Sequence, residues 1–245
     1  MASLKEVKGR IASVNNTRKI TSAMKMVASA KLHKAQAAIE SMLPYERRLH
    51  HILTDFMSNC TEVTSPFIVK REVKKVAVVV FASNTSLCGG FNANVIRHLV
   101  DLLAEYKPLG LENILVFPVG KKVADAVRKL GFRIEGDFQH MADKPSYQEA
   151  ADLAADLMKR FLHGDVDKVE LLYNHFKSTA SQILTRETYL PIDLNNEKKE
   201  EERTIDYILE PSAEELMQEM LPKVLRMKMF TVLLDSNAAE HAART

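Results

Sequence analysis

The sequence predicts an α/β fold in which the N- and C-terminal helices form a long antiparallel coiled coil carrying a Rossmann-like, mostly parallel α/β domain. Three observations predict it. The first 56 residues hold a three-then-four apolar repeat with no glycine after Gly9. The middle alternates short β-branched runs with amphipathic helical stretches. The last 34 residues open on a helix start signal and return to the three-four repeat.

The N-terminal helix is expected from Leu4 to Phe56. Its seam runs through Leu4, Val7, Ile11 and Val14, then Ala28, Leu32, Ala35, Ile39, Met42, Leu49, Leu53 and Phe56. Arg18, Thr21, Lys25 and Glu46 interrupt it, and between Ile20 and Val27 the apolar face drifts to Ile20, Met24 and Val27. A helix of this length is roughly 80 Å long at about 1.5 Å per residue, so it must project beyond any compact domain. Pro44 is expected to kink it or to cost one backbone hydrogen bond.

The run KVAVVVFA, Lys75 to Ala82, has no polar alternation and reads as a strand covered on both faces. A polar turn, SNTSLCGGFN, leads into a helix from Asn92 to Tyr106. A second strand is expected at Ile114 to Val119, a helix at Lys121 to Leu130 closed by Gly131, and a third strand at Phe132 to Glu135. Ser146 with Glu149 has the spacing of a capping box for a helix to Leu162. Lys168 to Phe176 and Gln182 to Leu190 are two more strands, separated by a short turn and so expected as an edge hairpin. Strand and helix alternate, which predicts a parallel sheet.

Asn195 to Arg203 (NNEKKEEER) is a charged, solvated loop. Ser212 and Glu215 form a second capping box after Pro211. The following helix repeats the seam through Met217, Met220, Val224, Met227, Thr231, Leu234, Ala238, His241 and Thr245. The units are therefore expected at 1–58, 74–192 and 212–245. If Ser212 lies opposite Phe56, equal rise puts Thr245 opposite about residue 23, leaving the residues before it without a partner. NAAEHAART holds no glycine or proline stop, so the helix reads as cut rather than ended.

The chain has 245 residues, 46% hydrophobic and 27% charged, with a net charge of +2. That balance fits a protein with a buried core and carries no polyanion signature. No apolar run is long enough to span a membrane, and MASLKEVKGR has no apolar signal segment. Two cysteines, Cys60 and Cys88, make no disulfide framework. The turn Ser86 to Asn92 lies where a dinucleotide fold holds phosphate. It lacks the G-x-G-x-x-G spacing, and Phe91 and Asn92 stand where a Walker A places Lys and Ser/Thr, so a plain strand-to-helix turn is favoured. Cys88 as a nucleophile with His98 or His175 as base is weak, because nothing fixes a partner. The histidines show no metal-ligand spacing. Lys5, Lys8, Arg10, Arg18, Lys19, Lys25, Lys31 and Lys34 make the first helix a basic arm. It suits a solvated face or an acidic protein partner better than nucleic acid, because no aromatic residues are interleaved. No cofactor is expected.

Four stretches in order carry a resemblance. KITSAMKMVASAKL, Lys19 to Leu32, resembles K-I-T-x-A-M-x-M-V-A-x-x-K of the gamma subunits of F-type ATP synthases, preceded by IASVNNT, Ile11 to Thr17. SNTSLCGGFN, YNHFKS (Tyr173 to Ser178) and YILEP (Tyr207 to Pro211) resemble that family's turn, strand and pre-helix segments. Asn84 and Ser86 replace a usual aspartate and glycine. EHAAR, Glu240 to Arg244, resembles a point that the family's last helix passes by many turns. The resemblance implies a non-catalytic, bacterial-type central-stalk rotor, peripheral on the cytoplasmic face of the inner membrane. It implies alpha, beta and epsilon subunits and the membrane c-ring as partners, with proton flow as the drive. Matched by motif, Lys19, Met24, Lys25, Leu87 and Cys88 belong to the contact with the catalytic ring. Tyr207 and Glu210 belong to the foot at the c-ring and epsilon. An enzyme with helical arms would instead bind a nucleotide or metal alone, and a nucleic-acid adaptor would show salt-dependent binding.

Overall fold

The structure is a computed structural model that describes residues 3–59, 65–192 and 212–245. Cys60, the charged loop Asn195 to Arg203, Tyr207 and Glu210 lie outside the described residues. Helix α1, Leu4–Asn59, is a single element of 56 residues that runs through Pro44. Five strands follow: β1 Val76–Phe81, β2 Ile114–Val119, β3 Arg133–Ile134, β4 Lys168–Ser178 and β5 Ser181–Leu190. Between them lie α2 Phe91–Tyr106, α3 Lys121–Leu130, α4 Gln139–Asp143 and α5 Tyr147–His163. Helix α6, Ala213–Arg244, closes the order.

The sheet order is β3-β2-β1-β4-β5. The first four strands are parallel and β5 returns antiparallel to β4 as the expected edge hairpin. β1 is central, and all six of its residues are buried. Its pleat divides them: Ala77, Val79 and Phe81 enter the core shared with α5 and α6, while Val76, Val78 and Val80 enter the core shared with α2. A strand buried on both faces needs apolar residues at every position, which is why VAVVVF shows no alternation.

Local signals hold unevenly. Gly131 ends α3 at φ 77°, donating back to Arg128 and Val127 carbonyls. The Ser212 hydroxyl accepts from Glu215 N at 3.2 Å and caps α6. Ser146 stands at the start of α5, but its side chain makes no cap bond. Glu149 is drawn to His140 Nδ1 instead, at 3.1 Å. That histidine lies on α4, whose five residues carry too few repeats for periodicity to reveal them.

Helix α6 corrects the simple coiled-coil picture. The expected stripe is buried at Met217, Met227, Leu234, Ala238 and His241, but Leu221, Leu225, Met229, Val232 and Leu233 are buried too. These second-face residues belong to the main core with α5 and β4. Each adds about 1.5–3 kcal/mol of transfer free energy on burial, so α6 is docked on the sheet as well as paired with α1. Polar bolts fix the same face. Tyr189 Oη donates to the Leu225 carbonyl at 2.7 Å, Phe176 N to Asp235 at 2.8 Å, and Asn237 to the Ala142 carbonyl at 2.9 Å.

The pairing with α1 is antiparallel. Leu53 shares a cluster with Met217, Leu221 and Leu225, and Leu32 and Ala35 share one with Ala238 and Ala242. Coverage of α1 begins at Ala28, and every described residue before it is exposed. The uncovered stretch thus extends about one turn beyond the expected boundary near residue 23. Matching helix ends had fixed the register only loosely. The contact of Ala35 with Ala238 and Ala242 sets it, because small side chains let two helices approach closely.

Candidate partner-binding surfaces

The first surface is the uncovered arm of α1. Leu4, Val7, Ile11, Val14 and Ile20 lie 42–74% exposed, an apolar line on a helix that the rest of the described chain does not touch. Lys19 and Lys25 are exposed beside it. Met24 is 38% exposed, among the small residues Thr21, Ser22, Ala23 and Ala28. A flexible thioether flanked by small side chains adapts to a changing partner surface. Thr17 and Thr21 turn their hydroxyls back onto the carbonyls of Ser13 and Thr17, so they offer little polarity outward.

The second surface is the turn between β1 and α2. Ser83 and Asn92 brace it: Ser83 N donates to Asn92 Oδ1 at 3.0 Å, and Asn92 Nδ2 donates to the Thr85 carbonyl at 3.2 Å. Asn84 ties it outward, donating to the Gln139 carbonyl and accepting from Lys121 N, both at 2.8 Å. Leu87 has φ 65° and is 72% exposed. Among the described residues it alone, other than glycine, has positive φ. Cys88 points inward at 2% exposure and packs with Phe91, Phe176 and Ala239. A partner meeting this turn therefore meets Leu87, with Cys88 as its buried footing.

The two surfaces lie at one end of the molecule. The last turns of α6 separate them: Ala238 and Ala242 face Leu32 of α1, while Ala239 faces Cys88. Met24 and Lys25 are about two turns of α1 beyond Leu32, roughly 10 Å. Arg244 completes this end. Its guanidinium donates to the Ser86 carbonyl at 2.7 Å, to Thr85 Oγ1 at 2.7 Å and to Glu240 at 2.9 Å. Burial raises the Glu240 pKa, with Arg244 opposing the shift. Burial, with Lys31 and Arg244 nearby, lowers the His241 pKa to about 4, and its Nδ1 has no hydrogen-bond partner.

This packing also decides what the sheet can do. An open α/β sheet takes ligands at the carboxyl ends of its strands, where the strand order reverses. Here that point lies between β1 and β4, and Cys88, Phe91, Phe176, Ala239 and Ala243 fill it. Gly120, φ 118°, brings the end of β2 so close to β1 that a Cβ would run into the Ala82 carbonyl. The glycine-rich turn thus serves as a seat for α6. Arg244 and the α6 contact were not legible as site features in the sequence, where EHAAR stood out only as a motif. No group of three or more metal-ligating side chains occurs among the described residues, and none of their helices is long and apolar enough to cross a membrane.

A long helix projecting from a doubly wound domain whose ligand crevice is closed by a second helix defines a stalk-like interaction protein. Comparison with known proteins agrees. The family described as ATP synthase matches residues 3–245. The ATP synthase gamma chain of Phocaeicola vulgatus is 80% identical over all of this chain and 86% of its own length. That of Bacteroides thetaiotaomicron is 60% identical with the same coverage. The chain belongs to the gamma-chain family of F-type ATP synthases. Its fold also matches a chain in the central stalk and c-ring structure of the Tetrahymena thermophila mitochondrial ATP synthase. There the TM-score is 0.63 at 22% identity, over 92% of this chain and 96% of that one.

Proposed function

We propose that this chain is the central-stalk rotor of a bacterial F-type ATP synthase, turned by proton flow through the membrane c-ring and forcing conformational change in the alpha/beta ring. The observation that carries this reading is the uncovered arm of α1, residues 3–27, continuous with a stretch of the same helix that pairs with α6, which is itself docked on the sheet. In this reading 1–58 and 212–245 are the shaft and 74–192 is the domain that widens it. The chain is non-catalytic and lies peripherally on the cytoplasmic face of the inner membrane. Coupling works by differential contact: each beta-subunit conformation has its own interaction free energy with one rotor orientation. A shaft can do this only if torque at one end reaches the other. The second face of α6 supports that, because it binds the shaft to the sheet along its length. Lys19, Met24, Lys25 and Leu87 meet the ring, the lysines opposite acidic loops. Tyr207 and Glu210 belong to the foot, with epsilon and the c-ring.

The test is capture of the chain by purified alpha and beta subunits, in the wild type and in the double variant Lys19→Glu/Lys25→Glu. The reading expects salt-sensitive capture that the double variant weakens about tenfold or more. Equal capture of both proteins at low and high salt sinks the electrostatic part. No capture of the wild type sinks the rotor reading.

A further inference from the structure

Leu87 combines two costs that a loop residue rarely carries together. A leucine in the left-handed region is disfavoured by about 1–2 kcal/mol, and its side chain stands 72% exposed. Strained backbone persists only where its surroundings over-determine it. On the inner side, Cys88 is buried against Phe91 and Ala239. On the outer side, Arg244 reaches the two residues immediately before Leu87, through Nη1 to the Ser86 carbonyl and through Nη2 to Thr85 Oγ1 and carbonyl. Glu240 holds the Nε and Nη2 edge of the same guanidinium at 2.9 and 2.7 Å. The Arg244 side chain is only 13% exposed, and Glu240 9%. Both ends of the clamp are therefore fixed, one on α6 and one on the turn.

We propose that Arg244 is a positioning residue that locks the strained Leu87 turn onto α6, so that Leu87 moves with the shaft as a preset apolar contact. This rests on the reading of Leu87 as a ring contact. The clamp needs a planar fork with several donors, which Arg supplies and Lys does not. Its absence would let residues 85–87 relax out of the left-handed conformation and withdraw the leucine from its fixed place. A relaxed loop pays an ordering entropy on binding that a preset one does not.

The test is a double-mutant cycle on the full chain, with Leu87→Ala, Arg244→Gln and the pair, read as affinity for an assembled alpha/beta ring. Amide exchange of residues 86–89 in the free chain is the second readout. Arg244→Lys is the second variant should Arg244→Gln fold poorly. The proposal expects exchange in the turn to accelerate about tenfold in Arg244→Gln and less in Arg244→Lys, while the β1 amides stay protected. It expects Leu87→Ala and Arg244→Gln each to weaken ring binding about tenfold, and the pair to bind no worse than Leu87→Ala alone. Multiplied losses in the pair overturn it, because Arg244 then acts independently of Leu87. Unchanged exchange in both Arg244 variants overturns the clamp itself. Unchanged ring affinity in Leu87→Ala, with faster exchange in Arg244→Gln, overturns the ring-contact reading and leaves the clamp supported.

Discussion

Lowering the pH from 7.5 to 5.5 should cost the chain about 1 kcal/mol of stability through His241 alone. The side chain is 7% exposed, between α6 and the Lys31 turn of α1, and its pKa falls from 6.5 to about 4. The unfolded chain therefore binds a proton below about pH 6.5 that the folded chain refuses until about pH 4. Stability falls as the pH drops through that window and levels off below it. A shift of this size caps the loss at about 3 kcal/mol, since each unit is worth about 1.4 kcal/mol. Glu240 works the other way: its raised pKa makes protonation relieve the folded state as the pH falls. The His241 contribution must be isolated by difference. Urea unfolding of the wild type and His241→Gln at pH 7.5 and 5.5 does so, because Gln keeps a polar group of similar reach without titrating. The wild type should lose about 1 kcal/mol more than the variant. Equal losses would refute the burial argument, and a larger loss in the variant would reverse its sign.

Leu221→Ala, which removes a fully buried side chain from the core shared by α6 and the sheet, should cost about 2–5 kcal/mol in the same assay. Val14→Ala, at an exposed position, should stay within about 0.5 kcal/mol of wild type. Amide exchange should divide α1 near Ala28, fast over 3–27 and slow from there to Leu53, and uniform protection along the helix would contradict the register. In a reconstituted synthase, Lys19→Glu/Lys25→Glu should lower the protons pumped per ATP, and an unchanged ratio counts against the cationic arm as a coupling surface. The chain alone should hydrolyse no ATP, and turnover surviving removal of alpha and beta subunits would defeat the non-catalytic reading.

The sheet was legible because its strands are buried on both faces: VAVVVF and ILVFPV can be little else once flanked by turns. The hairpin of β4 and β5 was legible from its short polar turn, and the pairing of the terminal helices from their repeats. The docking of α6 on the sheet was not. Leu221, Leu225, Met229, Val232 and Leu233 share a helix with a seam that already accounts for its period, so a second apolar face reads as noise in the first. The register slipped by a turn because alanines, which settle close approach, carry little weight in an apolar repeat. At the candidate site, Leu87 and Cys88 came from a motif, and the motif could not tell the exposed residue from the buried one. Burial of Cys88 depends on Ala239, some 150 residues away in the chain. Arg244 escaped for the same reason: its i,i+4 pair with Glu240 reads as an ordinary helix-surface ion pair, and its other partners, Thr85 and the Ser86 carbonyl, lie some 160 residues away in the chain.

Single-molecule rotation tests the central claim most directly. A bead fixed to an exposed cysteine introduced on α3, with the alpha/beta ring held on a surface, reports whether this chain turns as ATP is hydrolysed. The account predicts unidirectional rotation in three equal steps per turn, one for each beta subunit. ATP hydrolysis by the assembled complex with a stationary or randomly fluctuating bead would contradict it.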